Sequence, residues 1–371
     1  MFYVSLLYGD VKMKKNQTKK TYTENIDIYS STKSRGRHAK KTEKVAPKKT
    51  IIVLTSIVVV LAVLLGGIYW YLNSLLNNVN RGESYHPDEL GVNDAFAGHK
   101  VINIALFGID SRKDNFKGRS DAIFILTIDK EHDKIKLTSL KRDSYVHIDE
   151  HDQDKLTHAY AYGGAKLAMK TLNENYDMDI TDYVTVNFFG ITEIIDALGG
   201  LTVDIDSNEK YVMNTCYVPE LNDIGIDCEY IKKTGLQKLS GAQALAYSRN
   251  RYTGGIEGRM ERQREILSLM FEEVKKGGVT KLPELVKMGL QNSETSLTNN
   301  EITSLATWAL TSSPTIESLS LPDEDCNELY GEKAIINYVY YCIYDIDIAT
   351  QKLHDFIKEE GTYVAPDAAS K

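Results

Sequence analysis

The stretch Ile51–Leu72, IIVLTSIVVVLAVLLGGIYWYL, runs for 22 residues without a charged side chain. At about 1.5 Å of rise per residue, a helix of that length covers about 33 Å, enough to cross a bilayer core of about 30 Å. The run is longer than a signal-peptide core, lacks a clear small-x-small cleavage site and follows a long basic segment, so it reads as a transmembrane helix rather than a cleaved leader or a buried core helix. Lys44, Lys48 and Lys49 flank its amino side, and Tyr69, Trp70 and Tyr71 form an aromatic belt at the other end. The positive-inside rule then puts residues 1–50 in the cytoplasm and about 300 residues outside the cell.

Charge divides the chain in the same way. Residues 1–50 hold 13 Lys and Arg against 4 Asp and Glu, a net of +9, while the rest holds 31 against 48, a net of −17. The head has few apolar residues and scattered like charges, so it cannot bury enough surface to fold alone and reads as a disordered basic tail. It shows no helical periodicity and no DNA-binding pattern, so no specific nucleic-acid partner is expected. Cys216, Cys228, Cys326 and Cys342 all lie beyond the membrane segment, in two sequence-local pairs. In an oxidising exterior that pattern points to two local disulfides. Zinc is the alternative, but no CxxC motif is present.

Residues 73–98 are mostly polar, contain Pro87 and read as an extracellular stalk. A folded domain starts near Val101, with apolar or alternating strands at 101–108, 122–129 and 134–140, spaced closely enough for a meander. Helical and strand patterns then alternate: helix 158–174, strand 183–188, helix 189–198, strand 201–205, helix 240–248 and a long helix near 257–276. The expected fold is α/β, a mixed central β-sheet flanked by helices. TNNEITSLATWAL reads as an amphipathic helix and IESLSLP as a strand. A loop stapled between Cys326 and Cys342 and a helix near 344–359 form the expected C-terminal extension, 323–371.

A meander brings distant residues together without any long-range assumption. Its first strand ends at Asp110, the chain re-enters the sheet just after Asp121, and the third strand returns Lys141, Arg142 and Asp143 to that same end. Arg112 and Arg119 flank the connecting loop. Two acids among guanidinium groups suit magnesium with phosphate oxygens, and arginine pairs with phosphate through charge-assisted hydrogen bonds. A rim of surface salt bridges is the plainer reading of the same residues. Further on, Arg249 and Arg251 stand two apart, and Arg259 and Gln263 share a helical stripe with Ile266 and Met270. His147, His151 and His158 could suggest zinc, but HExxH is missing and their region reads as extended.

The ordered motifs NIALFGID (103–110), GRSDAIFILTID (118–129), SLKRDSYVHI (139–148), KLTHAYAYGG (155–164), IIDALGGLTVDI (194–205), SGAQALAYSRNRY (240–252) and GRMERQR (258–264) resemble the LytR-CpsA-Psr family. The likeness covers about 101–275 closely and extends to a domain spanning 99–322. It implies a membrane-anchored, Mg²⁺-dependent phosphotransferase that attaches polyprenyl-pyrophosphate-linked glycopolymers, such as teichoic acid or capsule, to peptidoglycan. Asp110 and Asp121 match the family's magnesium-associated aspartates, and Arg119, Arg142, Arg249 and Arg251 match arginines around the pyrophosphate. Asp110, Asp121 and Arg142 are the expected catalytic set, with Arg259 and Gln263 at the rim. The resemblance also implies an apolar tunnel for the prenyl tail, lined from Phe124, Val186, Phe188, Phe189, Ile194, Ile195, Leu198, Leu245 and Ile266. Two positions depart from the pattern: Lys141 stands where many relatives have Pro, and Ile256 replaces a common Asp. A membrane-bound transcriptional regulator and a noncatalytic carrier of lipid-linked glycan are the alternatives.

Overall fold

The computed structural model describes residues 80–111, 115–323, 326 and 334–359. The basic head at 1–50, the expected membrane helix at 51–72 and Arg112 lie outside them. No helix among the described residues is long and apolar enough to cross a membrane.

In chain order the strands are β1 (Asn80–Arg81), β2 (Val101–Asp110), β3 (Arg119–Asp129), β4 (Lys134–Leu140), β5 (Tyr145–Ile148), β6 (Asp152–Lys155), β7 (Asp182–Asn187), β8 (Leu201–Ile205), β9 (Gly235–Leu239), β10 (Ser293–Thr295), β11 (Thr315–Leu321), β12 (Ile335–Ile336) and β13 (Val339–Tyr340). The α-helices are α1 (Leu156–Tyr176), α2 (Phe188–Ala197), α3 (Ser207–Val212), α4 (Val218–Asp223), α5 (Gly241–Arg249), α6 (Gly255–Gln291), α7 (Asn299–Ser312) and α8 (Ile346–Lys358). The strands expected at 134–140 and 201–205 form with those ends. The long helix runs further than its apolar stripe predicts, to Gln291.

Seven strands make a mixed sheet in the order β1-β10-β7-β2-β3-β4-β11. Its centre is the antiparallel meander β2-β3-β4. Strand β7 joins β2, and β11 joins β4, in parallel. Side chains alternate across a sheet, and each face has its own core. Ala105, Phe107, Ile109, Ile123 and Ile125 belong to one cluster with Leu156, Met169 and Leu172 of α1 and Leu353, Phe356 and Ile357 of α8. A second cluster is built from α2, α5, β8 and the segment 212–231. There α5 starts hard against α2: a side chain at Gly241 would put its Cβ 2.0 Å from the Thr192 carbonyl oxygen. The Asp196 carboxylate accepts a bond from the Gly241 N–H at 2.7 Å, holding that junction.

Three expectations are corrected. Residues 83–98 are no free stalk, because Leu90 and Phe96 are buried in the first cluster and the Leu90 carbonyl accepts a bond from Asn173 Nδ2 at 2.8 Å; their polar neighbours masked two core anchors. The segment after Pro322 is not an appendage either, since α8 closes the same cluster with one apolar face. The four cysteines form no disulfide. Cys216 is exposed while Cys228 is buried. Cys326 instead points its thiol at Asp323 Oδ1, 3.2 Å away.

One polar group is deeply embedded in this frame. Lys136 on β4 is fully buried, its Nζ 2.8 Å from Asp129 Oδ2, 3.2 Å from Glu359 Oε1 and 2.7 Å from the Ile357 carbonyl oxygen at the end of α8. A cation at a helix C-terminus complements the helix dipole, and here it pins α8 to the sheet. Burial pushes the Asp129 carboxyl upward, but Lys136 and His132 outweigh it and hold it below the usual carboxylate range. Removing one partner of a buried pair leaves an uncompensated charge, so Lys136→Ala is expected to lower unfolding stability by about 3–5 kcal/mol, read as a reduced urea midpoint. Because the folded carboxyl pKa is depressed, the stability from this pair is complete at neutral pH and is lost as pH falls through that value. Urea midpoints should therefore drop on acidification more steeply in the wild type than in the double variant Lys136→Met/Asp129→Leu.

Candidate active site

A break in register sets the geometry of the site. Gly108 faces Ala122 across β2 and β3, yet Ile109 faces Ser120 and Asp110 faces Arg119, so Asp121 is an extra residue. In a regular strand Asp121 would point with Ile123 and Ile125 into the first core. The bulge re-aims it, and Asp110 and Asp121 both line a cavity of about 630 Å³ on the opposite face. Small residues leave room there: a Cβ added at Gly108 would meet the Ala122 Cβ at 3.0 Å.

The return of β4 delivers Arg142 to this rim as the meander predicts. Its Nη1 lies 2.7 Å from Asp121 Oδ2 and its Nε 3.3 Å from Asp143 Oδ2. Asp143 in turn takes Lys155 Nζ at 2.6 Å. Burial lowers the Arg142 pKa, but Asp121 and Asp143 overcome it and the net shift is upward. The guanidinium is thus a fixed positive charge.

Helix α6 supplies the next wall. Arg259, Gln263, Ile266 and Met270 line the cavity from one stripe, as their helical spacing requires. The intervening Arg262 points elsewhere and binds Glu209 at 2.9 Å and the Asn250 and Thr253 carbonyl oxygens, each at 2.9 Å. It therefore ties down the loop that carries Arg251. Arg249 leaves the end of α5 with its Cζ 4.5 Å from the centroid of the Phe188 ring and its Nη2 3.0 Å from Glu220 Oε1. Arg251 also lines the cavity.

Among the described residues, two nitrogens in this array have no hydrogen-bond partner. Arg249 Nη1 and Arg259 Nε are buried without a hydrogen bond. Buried donors are nearly always satisfied, and an unmet one costs about 1–3 kcal/mol. Burial, with Arg142 adding repulsion, depresses the Arg259 pKa. Both arginines line the cavity, so an anion placed there would meet two guanidinium groups.

Of the expected apolar lining, Phe124, Val186, Phe188, Ile194, Leu245 and Ile266 do face the cavity. Four expected residues do not line it. Arg119 is exposed at the start of β3. Phe189 packs against the second core cluster and borders a separate polar groove. Ile195 is wholly buried in that cluster, and Leu198 caps the end of α2. Tyr217, Glu220, Ser248 and Tyr252 line the cavity unforeseen. Tyr217 and Glu220 come from a segment that folds back against α5, which no local pattern reveals.

Lys141 shows how the departures fit. It is buried, with Nζ 2.6 Å from Glu257 Oε1. The acid next to Ile256 thus engages the lysine that replaces proline.

Among the described residues, Asp129, His132 and Glu359 have ligand atoms within 4.8 Å of one another, the spacing of a metal site. The Lys136 ammonium already lies against both carboxylates, so the cluster is better read as a neutralised ion-pair network. His147, His151 and His158 form no such group there.

Comparison with known proteins agrees with this architecture. Residues 71–355 match the LytR_cpsA_psr family. The polyisoprenyl-teichoic acid–peptidoglycan teichoic acid transferase TagU of Halalkalibacterium halodurans is 29% identical over 307 residues, covering 80% of this chain and 93% of that protein. The corresponding TagT enzyme of Bacillus subtilis is 28% identical, covering 78% and 90%. A solved structure of TagT bound to LI-WTA superposes with a TM-score of 0.54 at 26% identity, over 76% of this chain and 96% of that one. With a family match that spans most of its length, the chain belongs to the LytR-CpsA-Psr family.

Proposed function

We propose that this protein transfers a polyprenyl-pyrophosphate-linked glycopolymer, of the teichoic acid or capsule type, to peptidoglycan as a phosphodiester. The observation that carries the reading is the convergence of Arg142, Arg249, Arg251 and Arg259 with Asp110 and Asp121 on one cavity whose remaining lining is largely apolar. A diphosphate ester of a long prenyl alcohol has the matching shape and charge. Its anionic centre meets Arg142, Arg249, Arg251 and Arg259, while its tail lies along Phe124, Val186 and Ile266. Relatives named as polyisoprenyl-teichoic acid–peptidoglycan transferases support the same substrate class.

In the proposed reaction a hydroxyl oxygen of the acceptor sugar attacks the sugar-proximal phosphorus. The bond from that phosphorus to the bridging oxygen breaks, and polyprenyl phosphate leaves with the bonding electron pair. The hydroxyl proton passes to the Asp110 or Asp121 carboxylate. Arg142 and the cavity arginines stabilise charge that builds on the phosphoryl oxygens, the usual source of rate enhancement in phosphoryl transfer. Asp110 and Asp121 together suit magnesium, which takes one or two carboxylates plus phosphate oxygens. Bound there, the ion would supply further neutralisation of the diphosphate. Burial of the tail, at about 0.8 kcal/mol per CH₂, holds the donor. A membrane anchor at 51–72, with the catalytic domain on the outer side of the cell membrane, would keep the enzyme beside its lipid substrate.

With a lipid-pyrophosphate-linked saccharide and peptidoglycan fragments, Arg142→Ala is expected to cut product formation by on the order of 10²–10³-fold while circular dichroism shows the variant still folded. Tight donor binding with no product under any acceptor would instead identify a carrier. A second expectation concerns the cavity. Val186→Trp should raise KM by about tenfold or more for a long-chain donor, the worth of two lost methylenes. It should leave a short-chain donor unaffected, as kinetics with donors of two chain lengths would show.

A further inference from the structure

Beside the phosphate-binding rim lies a second constellation that the transfer chemistry does not use. Asp154, at the end of β6, gathers three side chains. Tyr162 OH donates to its Oδ2 at 2.6 Å, His158 Nδ1 lies 2.7 Å from the same oxygen, and Tyr341 OH donates to Oδ1 at 3.3 Å. Aromatic rings continue the surface on both sides. His151 stacks on Tyr162 with centroids 4.2 Å apart and planes 22° from parallel. Tyr145 meets Tyr341 edge-on at 4.9 Å, and Lys155 Nζ sits 5.7 Å from the Tyr341 ring centre. His151 is exposed, and Tyr162 is 47% exposed. Tyr341 directly follows a hairpin, β12-β13, whose tip Tyr338 is fully exposed.

This surface is fastened to the site. The Thr157 N–H donates to the Arg142 carbonyl at 2.9 Å and the Thr157 hydroxyl to the Ser120 carbonyl at 2.9 Å. The first turn of α1 is therefore stapled to the strands that carry Arg142 and Asp121. Lys155 bridges onward through Asp143 to Arg142.

We propose that the surface formed by Tyr145, His151, Tyr162 and Tyr341 around Asp154 and Lys155 binds the acceptor glycan strand of peptidoglycan. The inference rests on the transferase reading above and assigns the acceptor a place that reading leaves open. A pyranose ring offers an apolar C–H face and a rim of hydroxyls. Tyrosine presents the complement, an apolar body with a polar tip, at low entropy cost. The Tyr162 and Tyr341 hydroxyls, which donate to Asp154, keep oxygen lone pairs that can accept from sugar hydroxyls. The Lys155 ammonium is neutralised by Asp143 and the Asp154 carboxylate is held by Tyr162, His158 and Tyr341, so the surface presents tyrosine faces rather than bare charge, which suits the C–H faces of a sugar strand better than the anionic polymer of the donor. It lacks the deep apolar hole a prenyl tail requires.

The test pairs kinetics with direct binding on the detergent-solubilised full chain. Tyr162→Ala and Tyr341→Ala should each raise KM for peptidoglycan fragments by about tenfold, with donor KM and kcat unchanged, and Tyr162→Phe, which keeps the ring, should recover most of the loss. Unchanged acceptor KM in both alanine variants would overturn the proposal. Titration with muramidase-released glycan fragments needs no turnover and decides the question even if no transfer is seen. Fragment binding weakened about tenfold by Tyr162→Ala, with prenyl-diphosphate binding intact, supports the surface as a glycan site. Fragment binding that is absent in the wild type, or insensitive to both substitutions, removes it.

Discussion

A single inserted residue in β3 underlies the whole site. The register break at Asp121 turns a carboxylate that belongs to the buried face onto the face that carries Asp110, and Arg142 returns on the next strand to meet it. On the other face of the sheet the buried Lys136 pins α8 to the strands. Without the bulge, Asp121 would enter the first core as an unpaired charge, at a cost no domain of marginal stability carries.

The cavity works by a controlled deficit. Arg262 has three protein partners and acts as a structural tie, whereas Arg249 and Arg259 each keep a buried nitrogen unmet. Helical periodicity places Arg259 and Arg262 on different faces, and that difference separates an arginine tied into the fold from one that lines the cavity. The aromatic surface around Asp154 differs in kind: its polar atoms are paired with one another, and it presents ring faces rather than unmet charge.

Much of this was legible in the sequence, because local pattern determines it. The meander follows from three short apolar runs with short intervals, and it predicts the convergence of Asp110, Asp121 and Arg142 on one rim. The stripe Arg259, Gln263, Ile266 and Met270 follows from helical spacing alone. What was illegible depends on non-local packing. The bulge has no signature in GRSDAIF. The segment 83–98 looks like a stalk until Leu90 and Phe96 are seen against α1, and Cys326 looks like half of a disulfide until it is placed beside Asp323. The lining from Tyr217 and Glu220 belongs to the same class, since Arg249 reaches back 29 residues to find its partner. The family resemblance implies Ile195 and Leu198 as tunnel lining, yet such a resemblance cannot distinguish a lining residue from the ordinary core beside it.

The most direct measurement is a titration of the solubilised chain with farnesyl diphosphate and farnesyl monophosphate at two salt concentrations, repeated in an Arg249→Gln/Arg259→Gln variant. The account predicts preference for the diphosphate, weakening with salt, and loss of that preference in the variant. Equal affinity for the two ligands, or a diphosphate preference that survives both substitutions, would contradict it.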